Sequence, residues 1–201
     1  MKLPLLLLVG SLSAAEPTTI LLTAYGPFAG RGLNGSETVA RSLDGTDIGG
    51  ARVHVVVLSV RWGEPEKIVP AAVNSLHPQL VLGLGEGYPE QAAFEQLAVN
   101  RAEHVDEANI APPALLAADG PAQRRATVRF DRGWFAADAP IRLSNDAGTY
   151  LCNNLLYVAA GQVVPAAGFM HLPPQGDTPS ADYIARWAPL VKTLITHNLT
   201  P

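Results

Sequence analysis

The chain has 201 residues, 48% hydrophobic and 16% charged, which supplies the apolar surface for one folded domain and excludes wholesale disorder. Its 18 glycines and 17 prolines follow no G-X-Y period, so a collagen-like or low-complexity chain is excluded as well. Fourteen Lys and Arg stand against eighteen Asp and Glu, for a net charge of −4; with no basic stripe interleaved with aromatics, nucleic acid is not an expected partner.

The chain opens with Lys2, an apolar run over 3–12 and the small residues Ser13, Ala14 and Ala15, the pattern of a secretory signal peptide. The run is shorter than the ~20 apolar residues that span a bilayer, and no later segment is long enough, so no stable membrane insertion is expected. The expectation is an exported protein, periplasmic or secreted, with residues 1–15 removed and 16–201 forming a single domain. A cytoplasmic location follows only if this segment is not a signal. In an exported protein the single Cys152 has no partner for an internal disulfide, so its thiol is buried, intermolecular or catalytic.

Residues 18–23, TTILLT, form a β-branched and apolar run ending in Gly26-Pro27, as a buried strand running into a loop does. Ser36 is read as the cap of a short helix to Leu43, with Glu37 in its favourable first turn. Residues 53–60 are nearly continuous in Val and Leu and read as a strand covered on both faces. A helix opens at Glu64-Pro65, and Pro70 predicts that it is kinked or broken before Leu76. A third strand is expected over 79–84. Strand, helix, strand at these separations predicts parallel crossovers and an α/β fold.

Further strands are expected over 94–102 and 126–130, with a loop or lid rich in Ala, Pro and Asp between them. Helical spacing returns over 150–158 and stops at Gly161, and a strand follows over 167–172. A closing helix over about 181–198 carries Ile184, Trp187, Leu190, Val191, Leu194 and Ile195 on one stripe, interrupted by Pro189.

Chemistry concentrates in three residues. Gly148 and Thr149 lead into the helix that contains Cys152, so the thiol belongs to its first turn, where unpaired amides hold thiolate charge and face a developing oxyanion. Taken alone, an isolated Cys is as well explained as a small buried hydrophobe. His171 closes a strand, and catalytic groups of parallel sheets gather at carboxyl ends of strands; the ordinary alternative is a hydrogen-bonded structural histidine. Glu95 precedes LAVN at the expected start of a strand, where its carboxylate can fix an imidazole tautomer or simply flank an apolar strand. His54, His77, His104 and His197 show no zinc-ligand spacing, so neither a metal nor another cofactor is expected.

Four separated segments carry a resemblance: TAYGPFAGRGLNGSE from Thr23, FEQLAVN from Phe94, SNDAGTYLCNN from Ser144 and AGFMHLPP from Ala167. They resemble the pyrrolidone-carboxylate peptidases, pyroglutamyl peptidase I of cysteine peptidase family C15, whose patterns read approximately TGFEPFGG…NPS, ERVAIN, SNSAGTYVCN and GFIHVP. The resemblance spans essentially the whole mature chain. It implies a catalytic Glu95, Cys152 and His171, in the family's order, acting as a thiol omega-peptidase. That enzyme removes an N-terminal pyroglutamyl residue through a thioester acyl-enzyme. It implies an apolar lactam pocket at Tyr25 and Phe28, to which Glu86, Tyr150 and Leu151 are added as substrate-binding positions. It further implies an α/β/α sandwich around a mostly parallel twisted sheet, a blocked peptide as substrate, and assembly as a homo-oligomer, dimer or tetramer.

Departures cluster in the middle of the chain. The family's Gly-Gln-Ala-Gly-Gly-Arg type loop becomes GEGYPEQAAFE, with Glu86 at the glutamine position, and a carboxylate cannot donate as an amide does. Val105 stands where the family has an arginine near its active site, with Arg101 or His104 the candidate substitutes. Gln96 replaces a basic residue, and Gly35 replaces the proline of NPS. Two readings follow: a peptidase, or a catalytically weak protein of the same fold that binds pyroglutamyl peptides or another blocked amide.

Overall fold

Alternation along the first strand sets the layers of the molecule. The computed structural model describes residues 18–199; the signal segment expected over 1–15 lies outside the described residues. In β1 (Thr18–Tyr25), Ile20, Leu22 and Ala24 face one apolar cluster, and Leu21 and Tyr25 face the other, because successive strand residues point to opposite faces. The first cluster is closed by α1 (Gly35–Leu43) and α4 (Ser180–Leu199), and the second by α2 (Glu64–Leu76) and α3 (Leu151–Ala159). The product is a three-layer α/β/α arrangement, the expected fold class.

The sheet is completed by β2 (Asp47–Ile48), β3 (Ala51–Leu58), β4 (Leu80–Glu86), β5 (Ala92–Glu95), β8 (Ile141–Ser144) and β9 (Ala166–Leu172). Its order is β2-β3-β1-β4-β9-β5-β8. The β3-β1-β4-β9 run is parallel, whereas β5 pairs antiparallel with β9 and parallel with β8. A separate antiparallel ribbon joins β6 (Leu97–Val99) to β7 (Gln123–Arg125).

Several expectations are corrected. The strand expected over 94–102 is two strands in two sheets, divided at Gln96, whose N–H bonds Ser144 O and whose carbonyl accepts from Ala126 N. Glu95 therefore ends β5 rather than starting a strand. Residues 126–130 form no strand: Thr127 N and Val128 N share the Ala167 carbonyl, and the Thr127 hydroxyl accepts from Ala167 N. A side chain there takes the place of the next ladder bond. Both α2 and α4 run unbroken through Pro70 and Pro189, although an interior proline costs ~3 kcal/mol; the buried stripe of α4 holds it against the sheet. Asn34, not Ser36, caps α1, accepting from Ser36 N at 2.9 Å.

The loop between β6 and β7 is tied down along its length. Asn100 exchanges side-chain bonds with both N–H and C=O of Ala117. Asp106, itself buried, accepts from the backbone of Trp62, Ala108 and Ile110. Burial alone raises its carboxyl pKa, but these backbone donors outweigh burial and hold it below the ordinary value.

Candidate active site

α3 starts at Leu151 behind an extended Tyr150 cap with no side-chain capping bond, so Cys152 occupies its first turn, among amides without intrahelical acceptors. Asn153 fastens this turn to β6: it accepts from Val99 N at 2.8 Å and donates to the carbonyls of Val99 and Arg101. On the other side Tyr25 donates its hydroxyl to Leu151 O at 2.7 Å. Burial, followed by the charges of Cys152, Glu66 and Glu64, pushes the Tyr25 pKa well up, so the phenol stays neutral and keeps donating.

Glycines in and just after β4 let the site close. A Cβ on Gly85 would lie 2.8 Å from Cys152 Sγ and 2.7 Å from Phe169 Cζ, and one on Gly87 would lie 2.6 Å from His171 Cγ. Only a bare Cα fits at both places.

His171 is the penultimate residue of β9 and 6% exposed; Glu95, across the antiparallel pair, is 0% exposed. Glu95 is registered opposite Phe169 and His171 opposite Ala93, so the two side chains are diagonal neighbours on one face. His171 Nδ1 lies 2.9 Å from Glu95 Oε1, which leaves Nε2 for the thiol, and His171 and Cys152 line one cleft. The rings of Phe169 and Tyr88 meet the imidazole edge-on at 4.9 and 5.9 Å. Burial alone would push the imidazole pKa down. The charge and hydrogen bond of Cys152, then the hydrogen bond and charge of Glu95, outweigh burial and raise it to about 9. Cys152 and Glu95 together thus favour the protonated ring.

A cleft of about 420 Å³ opens on this group. Its walls are mostly apolar: Tyr25, Phe28, Val60, Ala147, Tyr150 and Leu151 together with Tyr88 and Pro89 beside His171. Phe28 is backed by the Arg31 guanidinium 4.2 Å from its ring, and Tyr150 stands edge-on to Trp62 at 5.5 Å. The sequence reading missed Tyr88 and Gly87; the one available signal was that both fall in the segment departing from the family loop.

Glu86 lines the same cleft, but protein groups engage its carboxylate. Oε1 accepts from Gly35 N at 2.6 Å and Gln175 N at 3.1 Å, and Oε2 pairs with Arg31 at 2.6 Å. Two departures seen in the sequence are thus partners: glycine in place of proline supplies the N–H that a glutamate in place of glutamine accepts. Among the candidate substitutes for the missing arginine, Arg101 is ion-paired with Glu103 and His104 stands edge-on to Tyr150 at 6.4 Å. Neither lines the cleft, and Val105 is 53% exposed.

Comparison with known proteins gives one answer. A family model described as pyroglutamyl peptidase matches residues 18–182. The chain is 35% identical over 163 residues to the pyrrolidone-carboxylate peptidase of Chromobacterium violaceum, covering 77% of each chain. It is 31% identical over 171 residues to pyrrolidone-carboxylate peptidase 1 of Ralstonia nicotianae, covering 77% of this chain and 78% of that one. Its structure resembles the pyrrolidone carboxyl peptidase from Thermococcus litoralis with a TM-score of 0.78 at 25% identity, over 90% of this chain and 93% of that one.

Proposed function

Since the chain belongs to the C15 family of pyroglutamyl peptidases and is a hydrolase of that kind, we propose that it removes the N-terminal pyroglutamyl residue of blocked peptides, with Cys152 as nucleophile, His171 as proton carrier and Glu95 as its orienting carboxylate. The observation that carries this reading is the buried Glu95–His171 pair, 2.9 Å apart, with His171 and Cys152 lining one mostly apolar cleft.

The Cys152 thiolate attacks the carbonyl carbon of the pyroglutamyl residue, and the carbonyl electron pair moves onto oxygen, which faces the first-turn amides of α3. Collapse breaks the C–N bond, and the departing amine takes the proton from Nε2 of the His171 imidazolium. The thioester is then attacked by water, which gives a proton to the now neutral His171. Release of pyroglutamate returns the thiolate–imidazolium pair. Throughout, Glu95 holds Nδ1–H and stabilises the positive ring. The lactam carries no ammonium to desolvate, which suits walls built from Tyr25, Phe28, Tyr150 and Leu151. Glu86, with its oxygens engaged, acts by holding the loops around this pocket rather than by binding the lactam directly.

The test is release of a fluorescent amine from a pyroglutamyl amide by reduced protein, beside Cys152→Ala. Turnover lost in the variant supports the reading. Saturable binding of a pyroglutamyl peptide without turnover overturns it in favour of a binding protein.

A further inference from the structure

We propose that Tyr88, backed by Arg142, forms the subsite for the first residue of the leaving peptide and selects substrates in which an aromatic or large apolar residue follows the pyroglutamyl group. This rests on the peptidase reading above and names the substrate class that reading leaves open.

A group that protonates the leaving nitrogen must come within hydrogen-bond reach of it. The leaving residue therefore begins beside His171 Nε2, on the side of the cleft away from the acyl pocket. The ring centroid of Tyr88 is 5.9 Å from that of His171, and Tyr88 and Pro89 both line the cleft. Tyr88 is also 36% exposed, so its ring offers apolar surface where a leaving side chain emerges.

The ring is held rather than free. The Arg142 guanidinium lies 4.4 Å from its centroid, and its hydroxyl donates to the Asp146 carbonyl at 3.3 Å. Below it, Gly87 N bonds Leu172 O at 2.9 Å, and the bare Gly87 Cα is what allows the segment to lie against the imidazole. A prefixed aromatic surface loses little freedom when a second apolar side chain packs on it. With its charge directed at the ring, Arg142 stiffens this wall.

The experiment compares kcat/KM for pyroglutamyl-phenylalanine amide and pyroglutamyl-glycine amide in the wild type, Tyr88→Phe, Tyr88→Ala and Arg142→Gln, following the released amine by chromatography. The wild type is expected to favour the phenylalanine substrate by about tenfold or more. Tyr88→Phe keeps that ratio, Tyr88→Ala brings it to within about threefold of unity, and Arg142→Gln lowers it by about threefold. A wild-type ratio near one, or a ratio unmoved by Tyr88→Ala, overturns the subsite while leaving the peptidase standing. Failure of the folded wild type to cleave either amide overturns the peptidase reading itself, and the subsite with it.

Discussion

Glu95 and His171 face each other diagonally across the antiparallel junction of β5 with β9, which interrupts the parallel part of the sheet, with Oε1 and Nδ1 2.9 Å apart. Because both groups are buried and the second carboxylate oxygen has no hydrogen-bond partner, the charge of Glu95 is directed at the imidazole. Added to the larger effect of Cys152, that relationship makes His171 a stronger base than a free histidine, against the effect of its burial.

Replacing Glu95 by Gln keeps an oxygen for Nδ1–H and removes only the charge. The proposed mechanism needs His171 protonated, so activity falls as pH rises through about 9. Glu95→Gln is expected to move this alkaline limb toward lower pH and to reduce kcat by about 10–100-fold. A pH profile of kcat/KM on a pyroglutamyl amide reads the shift, and an unmoved limb contradicts the role given to Glu95.

The same imidazole links stability to pH. Its folded pKa, about 9, lies above the ordinary value of 6.5, so the folded state holds the proton more tightly. The stabilisation is complete below about 6.5, declines between the two values and is gone above about 9. In urea unfolding, the advantage of wild type over His171→Gln is therefore expected to be larger at about pH 6 than at about pH 9.5. Equal differences at both would argue that Cys152 and Glu95 do not hold the charge of the ring.

Gly87→Ala places a methyl 2.6 Å from His171 Cγ, whereas Gly85→Ala places one 2.8 Å from Cys152 Sγ. Each is expected to displace its neighbour and lower kcat by about 100-fold, since about 1 Å of misplacement is that costly. Gly85→Ala also strikes the buried Phe169 ring and should lower the melting temperature further than Gly87→Ala does. Thermal scans alongside kinetics separate the two effects.

Glu86→Gln retains one oxygen for Gly35 N and Gln175 N and loses the ion pair with Arg31, while Glu86→Ala loses all three. KM for a pyroglutamyl amide should rise by less than about threefold in the first variant and by about tenfold or more in the second. The second should also melt lower. Equal and large effects of both would instead indicate that the carboxylate itself meets the substrate.

Local features were readable without the structure. The β-branched runs that become β1, β3 and β4, the first-turn position of Cys152 and the strand-end position of His171 depend on neighbours in the chain, which periodicity and capping chemistry register directly. Short or charged strands were not readable. Gln123–Arg125 and Ile141–Ser144 are three and four residues long and become strands only because partners distant in sequence supply their ladder bonds.

By itself the sequence determined the α/β class, the apolar helix stripes and the three residue types that the family pattern aligns with Cys152, His171 and Glu95. Tertiary structure decided what those residues meet. It set β5 antiparallel to β9, so that Glu95, 76 positions away, reaches His171; it committed Glu86 to Gly35, Gln175 and Arg31; and it brought Tyr88 onto the imidazole through a glycine. Residue type and spacing encode short-range preference, but the partner of a buried charge is fixed only when packing brings distant strands together and water no longer solvates it.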